Sequence, residues 1–420
     1  MKDQISETNE VVAMQKQATL DLIASLESQI EELVTPELVG SLSKIYAVGC
    51  GDSYLAARGA RLFCDRYVGL PVEPLESMEF SRYAIEAMPQ GSLLIGISYG
   101  GKVSRTIEAI IRARSRGAYT IAASGFGQRG AALEADAAIV GSLPGIRQVV
   151  DRLDSALEAK KLSRDEVLKE LSTPGAAQRL AETLGIRGGV HLALVGMGAF
   201  LSSILTLYLI GLRIGHLRKT LDPVRVARLK EDLLKCIDVQ CETVVRNLEA
   251  ARQLAQTFKD RTHFLFLGSG PSYASAYFSA CKLFEQPHLN GVPQYIEEWA
   301  HLQLFYTRPG GAPIFVIVPP GRSRDRAIEQ MQGMRKLGAT VIAVCDADDQ
   351  EVLSLGDYTL PIYGRVPEEF SPLAYIVPGQ LFAFAMLGIR GQPPIPAPHS
   401  FQQMMEVNYG LIYASAIRLE

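Results

Sequence analysis

The sequence lacks the features that mark several large classes of protein. Its 420 residues carry 42 basic against 45 acidic side chains, a formal net charge of −3, without a dense basic run, so we expect no nucleic-acid partner. The six cysteines lie far apart without a CxxC pair, and "MKDQISETNE" at the start is not typical of a secretory leader. We therefore expect reduced thiols, no metal site and a cytoplasmic location.

Nucleotide-binding motifs are absent as well. The pattern GxxxxGK[ST] does not occur in the sequence. In "GCGDSY", Tyr54 takes the place of the third glycine of GxGxxG, where it would obstruct the close approach of the following helix. The sequence gives no reason to expect a cofactor.

One apolar stretch has the length of a membrane span. Residues 192–212, "LALVGMGAFLSSILTLYLIGL", are uncharged and long enough to cross a bilayer. Gly, Ser and Thr are scattered through the stretch, and it stands alone in the middle of an α/β pattern. We therefore expect a short strand or turn followed by a buried helix, with no membrane insertion.

The sequence contains an internal repeat. "KIYAVGCGDSYLAARGARLF" predicts a strand, a glycine-rich turn and a helix, and "HFLFLGSGPSYASAYFSACKLFE" repeats this order 219 residues later. Residues 93–123 and 314–344 extend the match, each with an apolar strand, a turn, an amphipathic helix and another apolar strand, the pattern of a parallel sheet covered on both faces. The alignment pairs Ser53 with Ser272, Gly100 with Gly321, Glu108 with Glu329 and Gly117 with Gly338.

The repeat predicts an α/β protein with two tandem lobes, each a doubly wound, flavodoxin-like parallel sheet. An amphipathic pattern over the first residues predicts an N-terminal helix. We predict an N-terminal helical segment 1–40, a first lobe 41–215 with a charged helical insertion at about 146–190, linking helices 216–260, a second lobe 261–390 and a C-terminal tail 391–420.

Two turns of the first lobe are suited to bind an anion. In an open parallel sheet, ligands bind at the carboxyl ends of the strands, where turns lead into helix N-termini with free N–H groups. The turns "GCGDSY" and "SYGGKVSR" supply unobstructed amides, hydroxyls and one cation. Glycines that only make tight turns are the alternative, which the duplication of the turn weakens. The candidate binding residues are Cys50, Gly51, Asp52, Ser53, Ser98, Tyr99, Gly100, Gly101, Lys102 and Ser104.

These motifs carry a family resemblance. Tandem lobes that begin with "CGDSY" and continue through "VGLPVEPLESMEF" and "LLIGISYGG" resemble the sugar isomerase (SIS) family, in particular the isomerase half of glucosamine-6-phosphate synthase and related deaminases and deglycases. The resemblance covers most of the chain outside 146–190. It implies a small anionic sugar as substrate, a C-terminal tail over the active site and a homodimer in which each subunit contributes a His to the other's site.

The resemblance also implies catalytic residues in the second lobe. "ACKLFE" is similar to a family helix with a Lys and, three residues later, the Glu that moves a proton between C1 and C2 of the open-chain sugar; here these are Lys282 and Glu285. His301 lies sixteen residues further on, where the family has the His that assists ring opening, and Glu298, a candidate substrate-binding residue, matches an acidic position three residues before it.

Physical chemistry agrees with these roles. A carboxylate on a rigid helix is suited to reach both C1 and C2, and histidine titrates in the range that ring opening near neutral pH requires. Lys282 shares a helix face with Glu285 and could orient it. The alternatives are a solvated Lys/Glu pair, a packed histidine beside Trp299 and a structural role for Glu298.

The sequence also departs from the family. The second anion loop of the family is usually Ser-Gln-Ser-Gly-Glu-Thr, whereas this chain has "SYGGKV" at 98–103, so that a sulfonate becomes an alternative to a phosphate. The synthase uses a Lys of its C-terminal tail to form a Schiff base, but this chain has no lysine beyond Lys336, and its tail offers His399 near the matching place. We expect neither a tail Schiff base nor use of glutamine by this chain alone.

The two copies of the turn have different predicted roles. "PPGR", residues 319–322, stands where the second anion loop would lie in the second lobe, and its prolines lack backbone donors. We predict that the first turn binds the anion and that the second begins the helix that carries Lys282 and Glu285.

The sequence therefore predicts an aldose–ketose isomerase that acts on an anionic hexose, either a sugar 6-phosphate or a 6-sulfo analogue such as sulfoquinovose, through a cis-enediol. The first alternative is a deaminase or deglycase of glucosamine 6-phosphate or fructosamine 6-phosphate, because the same Glu and His serve both chemistries. The second is a non-catalytic sugar-phosphate sensor, against which Glu285 and His301 argue.

Overall fold

The computed structural model describes residues 2–127, 130–143, 188–391 and 401–419, which form two compact units. One unit contains the first predicted lobe and comprises residues 17–127, 130–143, 197–231 and 401–419. The other contains the second lobe and comprises residues 2–16, 188–196 and 232–391. Residues 146–187 of the predicted insertion and His399 of the predicted tail lie outside the described residues.

The first lobe is built on one parallel sheet with the strand order β2-β1-β3-β4-β5. All six residues of β3 are buried, as expected for a strand covered on both faces. The strands are β1 (Lys44–Gly49), β2 (Val72–Glu76), β3 (Ser92–Ile97), β4 (Tyr119–Ser124) and β5 (Ala137–Val140). The helices before and between them are α1 (Lys2–Leu33), α2 (Pro36–Ser41), α3 (Asp52–Tyr67), α4 (Ser77–Arg82), α5 (Ser104–Ser115) and α6 (Ala131–Glu134), with a 3-10 turn at Ala84–Ala87.

The second lobe repeats this sheet, with the order β7-β6-β8-β9-β10. Its strands are β6 (His263–Gly268), β7 (Asn290–Tyr295), β8 (Ile314–Val318), β9 (Val341–Cys345) and β10 (Tyr358–Thr359). The remaining helices are α7 (Gly188–Leu217), α8 (Pro223–Thr257), α9 (Pro271–Glu285), α10 (Ile296–His301), α11 (Arg324–Lys336), α12 (Gln350–Leu353), α13 (Pro372–Tyr375), α14 (Val377–Arg390) and α15 (Phe401–Ile412), with 3-10 turns at Gln303–Tyr306 and Glu368–Phe370. The predicted fold class, two tandem doubly wound parallel-sheet lobes, is confirmed.

The glycine-rich turn has the same backbone geometry in both lobes. Gly51 has φ 56° and ψ −132°, and Gly270 has φ 55° and ψ −130°, a conformation that favours glycine. At Gly49 and Gly268 a Cβ would lie within 3 Å of the first turn of the following helix, so these two glycines allow the helix to approach the strand closely. The repeat in the sequence is therefore a repeat in backbone conformation.

Within the residues that the structure describes, two helical segments meet the length and composition criteria for a membrane span. These are Met197–Leu217, which is part of α7, and Pro372–Arg390, which comprises α13 and α14, and both are mostly buried inside the protein. In the first, the ring of Tyr208 packs edge-on against Phe63 of α3, and the hydroxyl of Ser202 donates to the Gly141 carbonyl. The apolar stretch 192–212 thus lies entirely in one helix, α7, so the short strand or turn predicted at its start is wrong, whereas the predicted buried helix is confirmed and packs in the core of the first lobe.

The core of the second lobe encloses the single tryptophan of the sequence. Trp299 lies in α10, is 2% exposed, and its indole N–H donates to Thr307 Oγ1 at 3.2 Å. It packs in a buried cluster with strand residues of β6, β8 and β9 and with Met331 and Met334 of α11. This packing fixes the short helix whose last residue is His301.

Candidate active site

The candidate anion-binding residues of the first lobe lie where the order of the strands reverses. In the order β2-β1-β3-β4-β5 this switch point is between β1 and β3, where ligands of doubly wound sheets bind at the carboxyl ends. Gly49 and Ile97, the last residues of β1 and β3, are register partners. The turn after Gly49 and the loop after Ile97 are therefore neighbours, which brings the two predicted anion-binding segments together.

Two glycines leave open space at this point. A Cβ added at Gly51 or at Gly100 would meet nothing within 4 Å. The loop folds back on itself because the Gly101 amide donates to the Ser98 carbonyl at 2.8 Å and Gly101 adopts φ 70°. Ser53 is 7% exposed and opens the first turn of α3 together with Asp52. This arrangement leaves room for a small anion beside backbone amides.

Ser98 and Ser104 lie deeper in the loop. Ser98 is 1% exposed, and its hydroxyl oxygen accepts a long bond of 3.5 Å from the Val103 amide. Ser104 is 3% exposed and is the first residue of α5. Lys102 is exposed and makes no ion pair within the part of the chain that the structure describes. The cation that the sequence places in this loop is therefore accessible from solvent.

Tyr99 points away from this open space. Its hydroxyl and that of Ser142 are hydrogen-bonded at 3.0 Å, and its carbonyl accepts from the Gly125 amide at 2.8 Å. Burial raises the pKa of Tyr99. Its side chain thus packs against residues 124–126 and 142, where it supports the loop rather than facing a ligand.

Cys50 is a neutral thiol in the first turn. Its Sγ donates to Glu76 Oε1 at 3.1 Å, and Glu76 also caps α4 by accepting from the amides of Met78 and Glu79. Burial, aided by the hydrogen bond to Glu76, raises the pKa of Cys50 to about 11. The thiol ties the turn to the end of β2, and a nucleophilic role near neutral pH does not fit it.

A buried carboxylate that sequence reasoning did not select stands next to the loop. Glu108 of α5 is fully buried, and its oxygens accept from Arg82 Nε at 3.0 Å, from the Ser81 hydroxyl at 3.0 Å and from Arg105. The Arg418 amide, 310 residues away in sequence, donates to Glu108 Oε2 at 2.9 Å. Burial would raise the pKa of Glu108, but these partners hold it below its usual value.

The end of the chain docks at the same place. Arg105 Nη2 donates to Ser415 Oγ at 3.0 Å and to the Ala416 carbonyl. Arg105 is the second residue of α5, directly after the loop of residues 98–103. Residues 415–418 therefore lie at the start of α5, beside the loop that carries Lys102.

A separate candidate group in the second lobe is the pair Lys282–Glu285 in the last turn of α9. Lys282 Nζ lies 2.7 Å from Glu285 Oε2, and the Lys282 side chain is 4% exposed while that of Glu285 is 54% exposed. The ammonium also lies over the Phe278 ring, 4.7 Å from its centroid. A buried lysine thus orients a carboxylate that solvent can reach, which differs from a solvated surface pair.

His301 ends α10 and is exposed over 63% of its side chain. Its Nε2 lies 3.5 Å from Oε1 of Glu297, one helical turn earlier, and Glu297 is also held by Arg326 Nε at 2.6 Å. Glu298 is exposed, and its carbonyl accepts from the Leu302 amide at the end of the helix. The acidic neighbour of His301 is therefore Glu297, which the i, i+4 spacing on a helix could have indicated.

The structure brings the predicted residues together in three groups. Residues 50–53 and 98–104 share the switch point of the first sheet, Lys282 and Glu285 form one ion pair, and His301 and Glu298 share α10. His399 lies outside the described residues. Among the residues that the structure describes, no three His, Cys, Asp or Glu side chains are grouped so as to hold a metal ion.

The fold is that of an α/β protein with two tandem flavodoxin-like lobes, and the predicted anion-binding residues lie at the switch point of the first. Residues 40–140, which include the five strands of the first lobe, match the model of the SIS domain family. The second lobe repeats its strand order.

Curated relatives resemble the chain over most of its length. It is 25% identical over 364 residues to the isomerizing glutamine–fructose-6-phosphate aminotransferase of Methanothermobacter thermautotrophicus and 27% identical over 369 residues to that of Corynebacterium efficiens. These alignments cover 87% and 86% of this chain but 52% and 51% of the relatives. The chain thus spans about half the length of the curated relatives that it matches.

Solved structures share the fold. The C-terminal domain of glucosamine-fructose-6-phosphate aminotransferase from Francisella tularensis superposes with a TM-score of 0.67 at 18% identity, covering 90% of this chain and 96% of that one. Glucosamine-6-phosphate deaminase from Thermotoga maritima superposes with a TM-score of 0.55 at 16% identity, covering 92% and 98%.

Proposed function

We propose that the protein is an aldose–ketose isomerase of an anionic hexose, a sugar 6-phosphate or a 6-sulfo analogue. The observation that supports this most is the ion pair of Lys282 and Glu285, a buried ammonium 2.7 Å from a carboxylate that is exposed over half of its side chain. A base that moves a proton between C1 and C2 must be accessible to substrate and fixed in direction, and this pair provides both properties.

The proposed roles follow from the geometry of each group. The turn at Gly51 and Ser53 and the loop at Ser98–Ser104 bind the anion, with Lys102 as the accessible cation. Glu285 removes the proton from C2 of the open-chain aldose and returns it to C1, so that a cis-enediol lies between the two sugars. Lys282 positions Glu285, and His301 transfers a proton between O1 and O5 during ring opening, a step within the range of imidazole near neutral pH.

The decisive experiment incubates the protein in deuterated water with glucose 6-phosphate, glucosamine 6-phosphate, fructosamine 6-phosphate and sulfoquinovose. We expect a sugar without an amino group to form the ketose, with deuterium at C1 of the ketose and at C2 of the recovered aldose, both detected by NMR. Release of ammonia from an amino sugar would show that the protein is a deaminase or deglycase and not an isomerase. Binding without any exchange would identify a sensor.

Lys102 should contribute to affinity for the anion and not to the chemical step. Because it is exposed, Lys102→Met should raise KM only about twofold to fivefold, with kcat unchanged. The effect should shrink as ionic strength rises, since salt screens exposed charges. Lys336→Met, which removes an exposed lysine of the second lobe, is the control, and an unchanged KM at low salt would remove Lys102 from the anion site.

An exposed apolar segment follows His301 and supports the proposed homodimer. Leu302, Phe305 and Tyr306 are 55%, 85% and 53% exposed, and such clusters on soluble proteins mark contact surfaces. We expect a dimer by analytical ultracentrifugation and a shift to monomer in Phe305→Glu. Val224→Glu, at an exposed apolar residue of α8, should leave the dimer intact.

Mixing two inactive variants tests whether the dimer shares its active sites. If Glu285 and His301 of one site come from different subunits, heterodimers of Glu285→Gln and His301→Ala contain one intact site, and the mixture regains about a quarter of wild-type activity. If both residues of a site come from one subunit, the mixture stays inactive.

A further inference from the structure

The second lobe has its own open turn at its own switch point. The strand order of the second sheet reverses between β6 and β8, as that of the first does between β1 and β3. Gly270, at the end of β6, repeats the φ and ψ of Gly51, and a Cβ there would also meet nothing within 4 Å. One of the two segments that form the anion site of the first lobe is therefore present in the second lobe without change in backbone.

The other segment differs because an internal carboxylate fills it. A Cβ at Gly321, the counterpart of Gly100, would lie 2.3 Å from Cδ and 2.5 Å from Oε1 of Glu368. The Arg322 amide donates to that Oε1 at 3.1 Å. The space that is open beside Gly100 in the first lobe is thus occupied in the second by a negatively charged group that accepts a backbone N–H bond.

The surroundings of this carboxylate favour an anion. The loop leads into α11, a helix of 13 residues whose N-terminus carries a partial positive charge. Arg322 is exposed, and Arg324 follows two residues later with its guanidinium bound to Asp349. Pro319 and Pro320 lack N–H groups, so the Arg322 amide is a principal donor in the loop, and Glu368 uses it.

We propose that the second lobe retains a binding site for a small oxyanion of the phosphate or sulfonate class, and that Glu368 keeps this site closed by taking the place of the anion. Because the carboxylate occupies the site of the second lobe, the chain binds an anion in the first lobe alone. In the second lobe, one side chain then closes the site. The missing N–H groups of the two prolines account for a smaller part of the difference between the lobes.

Inorganic phosphate is the probe for this proposal. Isothermal titration calorimetry of the full chain should show one more equivalent of bound phosphate in Glu368→Ala than in the wild type, because the variant frees both the space and the Arg322 amide. The test compares the number of phosphates bound by the variant and by the wild type, so it is valid whether or not the first lobe binds phosphate. Glu86→Ala, which removes an exposed carboxylate of the first lobe, should not change the count.

A second substitution locates the additional phosphate. Gly321→Ala combined with Glu368→Ala should abolish the gain, because the new methyl group lies in the space that the carboxylate has left. If the alanine variant does not fold by circular dichroism, Glu368→Ser, whose short side chain also vacates the space beside Gly321, takes its place. A phosphate count equal to that of the wild type in the folded variant, or a gain that survives Gly321→Ala, would overturn the proposal.

Discussion

Glu285→Gln should lower both isomerisation and hydrogen exchange at C2 about 10²-fold to 10⁴-fold, the usual contribution of a positioned general base. Glutamine keeps the shape of the side chain and can still accept a hydrogen bond from Lys282, but it cannot hold the proton taken from the sugar. Since the anion binds in the first lobe under the proposed function, the affinity for substrate should change little. Activity is measured by ketose formation, exchange by NMR and affinity by calorimetry.

Glu351→Gln provides the matched control for this variant. Glu351 is also an exposed carboxylate of the second lobe, 61% exposed and paired with Arg324, and the proposed chemistry does not use it. Its substitution should leave all three measurements near their wild-type values. Retained exchange in Glu285→Gln would remove the proposed base, and loss of binding would assign the residue to substrate affinity instead.

Glu108→Ala should destabilise the first lobe by about 3–5 kcal/mol, the range observed when one partner of a buried ion pair is removed. The fully buried carboxylate accepts from Arg82, Arg105 and the Arg418 amide, and Ala would leave two guanidinium groups without their counter-ion. The contacts that hold residues 415–418 should weaken as well. The free energy of unfolding is measured by urea denaturation followed by circular dichroism.

The repeat supplies the control for Glu108. Glu329 occupies the equivalent position in the second lobe and pairs with Arg326 as Glu108 pairs with Arg105, but its side chain is 63% exposed. Glu329→Ala should therefore cost less than about 1 kcal/mol. Equal losses in the two variants would show that the buried network contributes no more than a surface ion pair.

The stability that Glu108 provides should depend on pH in one direction. Burial opposes ionisation of Glu108, but the bonds from Arg82, Arg418, Ser81 and Arg105 keep its folded pKa below the ordinary value of 4.5. A group whose pKa is lowered by folding stabilises the protein fully above its unfolded pKa and loses this contribution as pH falls through the folded pKa. Urea denaturation should show that the difference between wild type and Glu108→Gln is constant above about pH 5 and diminishes below pH 4.5.

The sequence allowed the prediction of the features that depend on local pattern. Continuous apolar runs bounded by glycine turns indicated the parallel strands, and the spacing of Lys282 and Glu285 indicated a shared helix face that the structure confirms as an ion pair. Identical turn glycines indicated the repeat because only glycine accepts the backbone angles of Gly51 and Gly270 without strain.

The features that the sequence did not reveal depend on contacts between distant residues. Glu368 reaches Gly321 from 47 positions away, and the Arg418 amide reaches Glu108 across 310. No periodicity or motif in the sequence indicates either contact. The sequence also could not show which way the Tyr99 side chain points, because a tyrosine in a loop can face a ligand or the core. The hydrogen bond between the Tyr99 and Ser142 hydroxyls decides between these two orientations.

The burial of Trp299 has a practical consequence for spectroscopy. As the single indole of the chain, packed in the second lobe and hydrogen-bonded to Thr307, it gives an intrinsic fluorescence signal that belongs to that lobe alone. Unfolding of the first lobe in Glu108→Ala should change the circular dichroism while the emission maximum stays in place, so the two probes together report whether the lobes unfold in one transition or in two. No dye or engineered label is needed for this measurement.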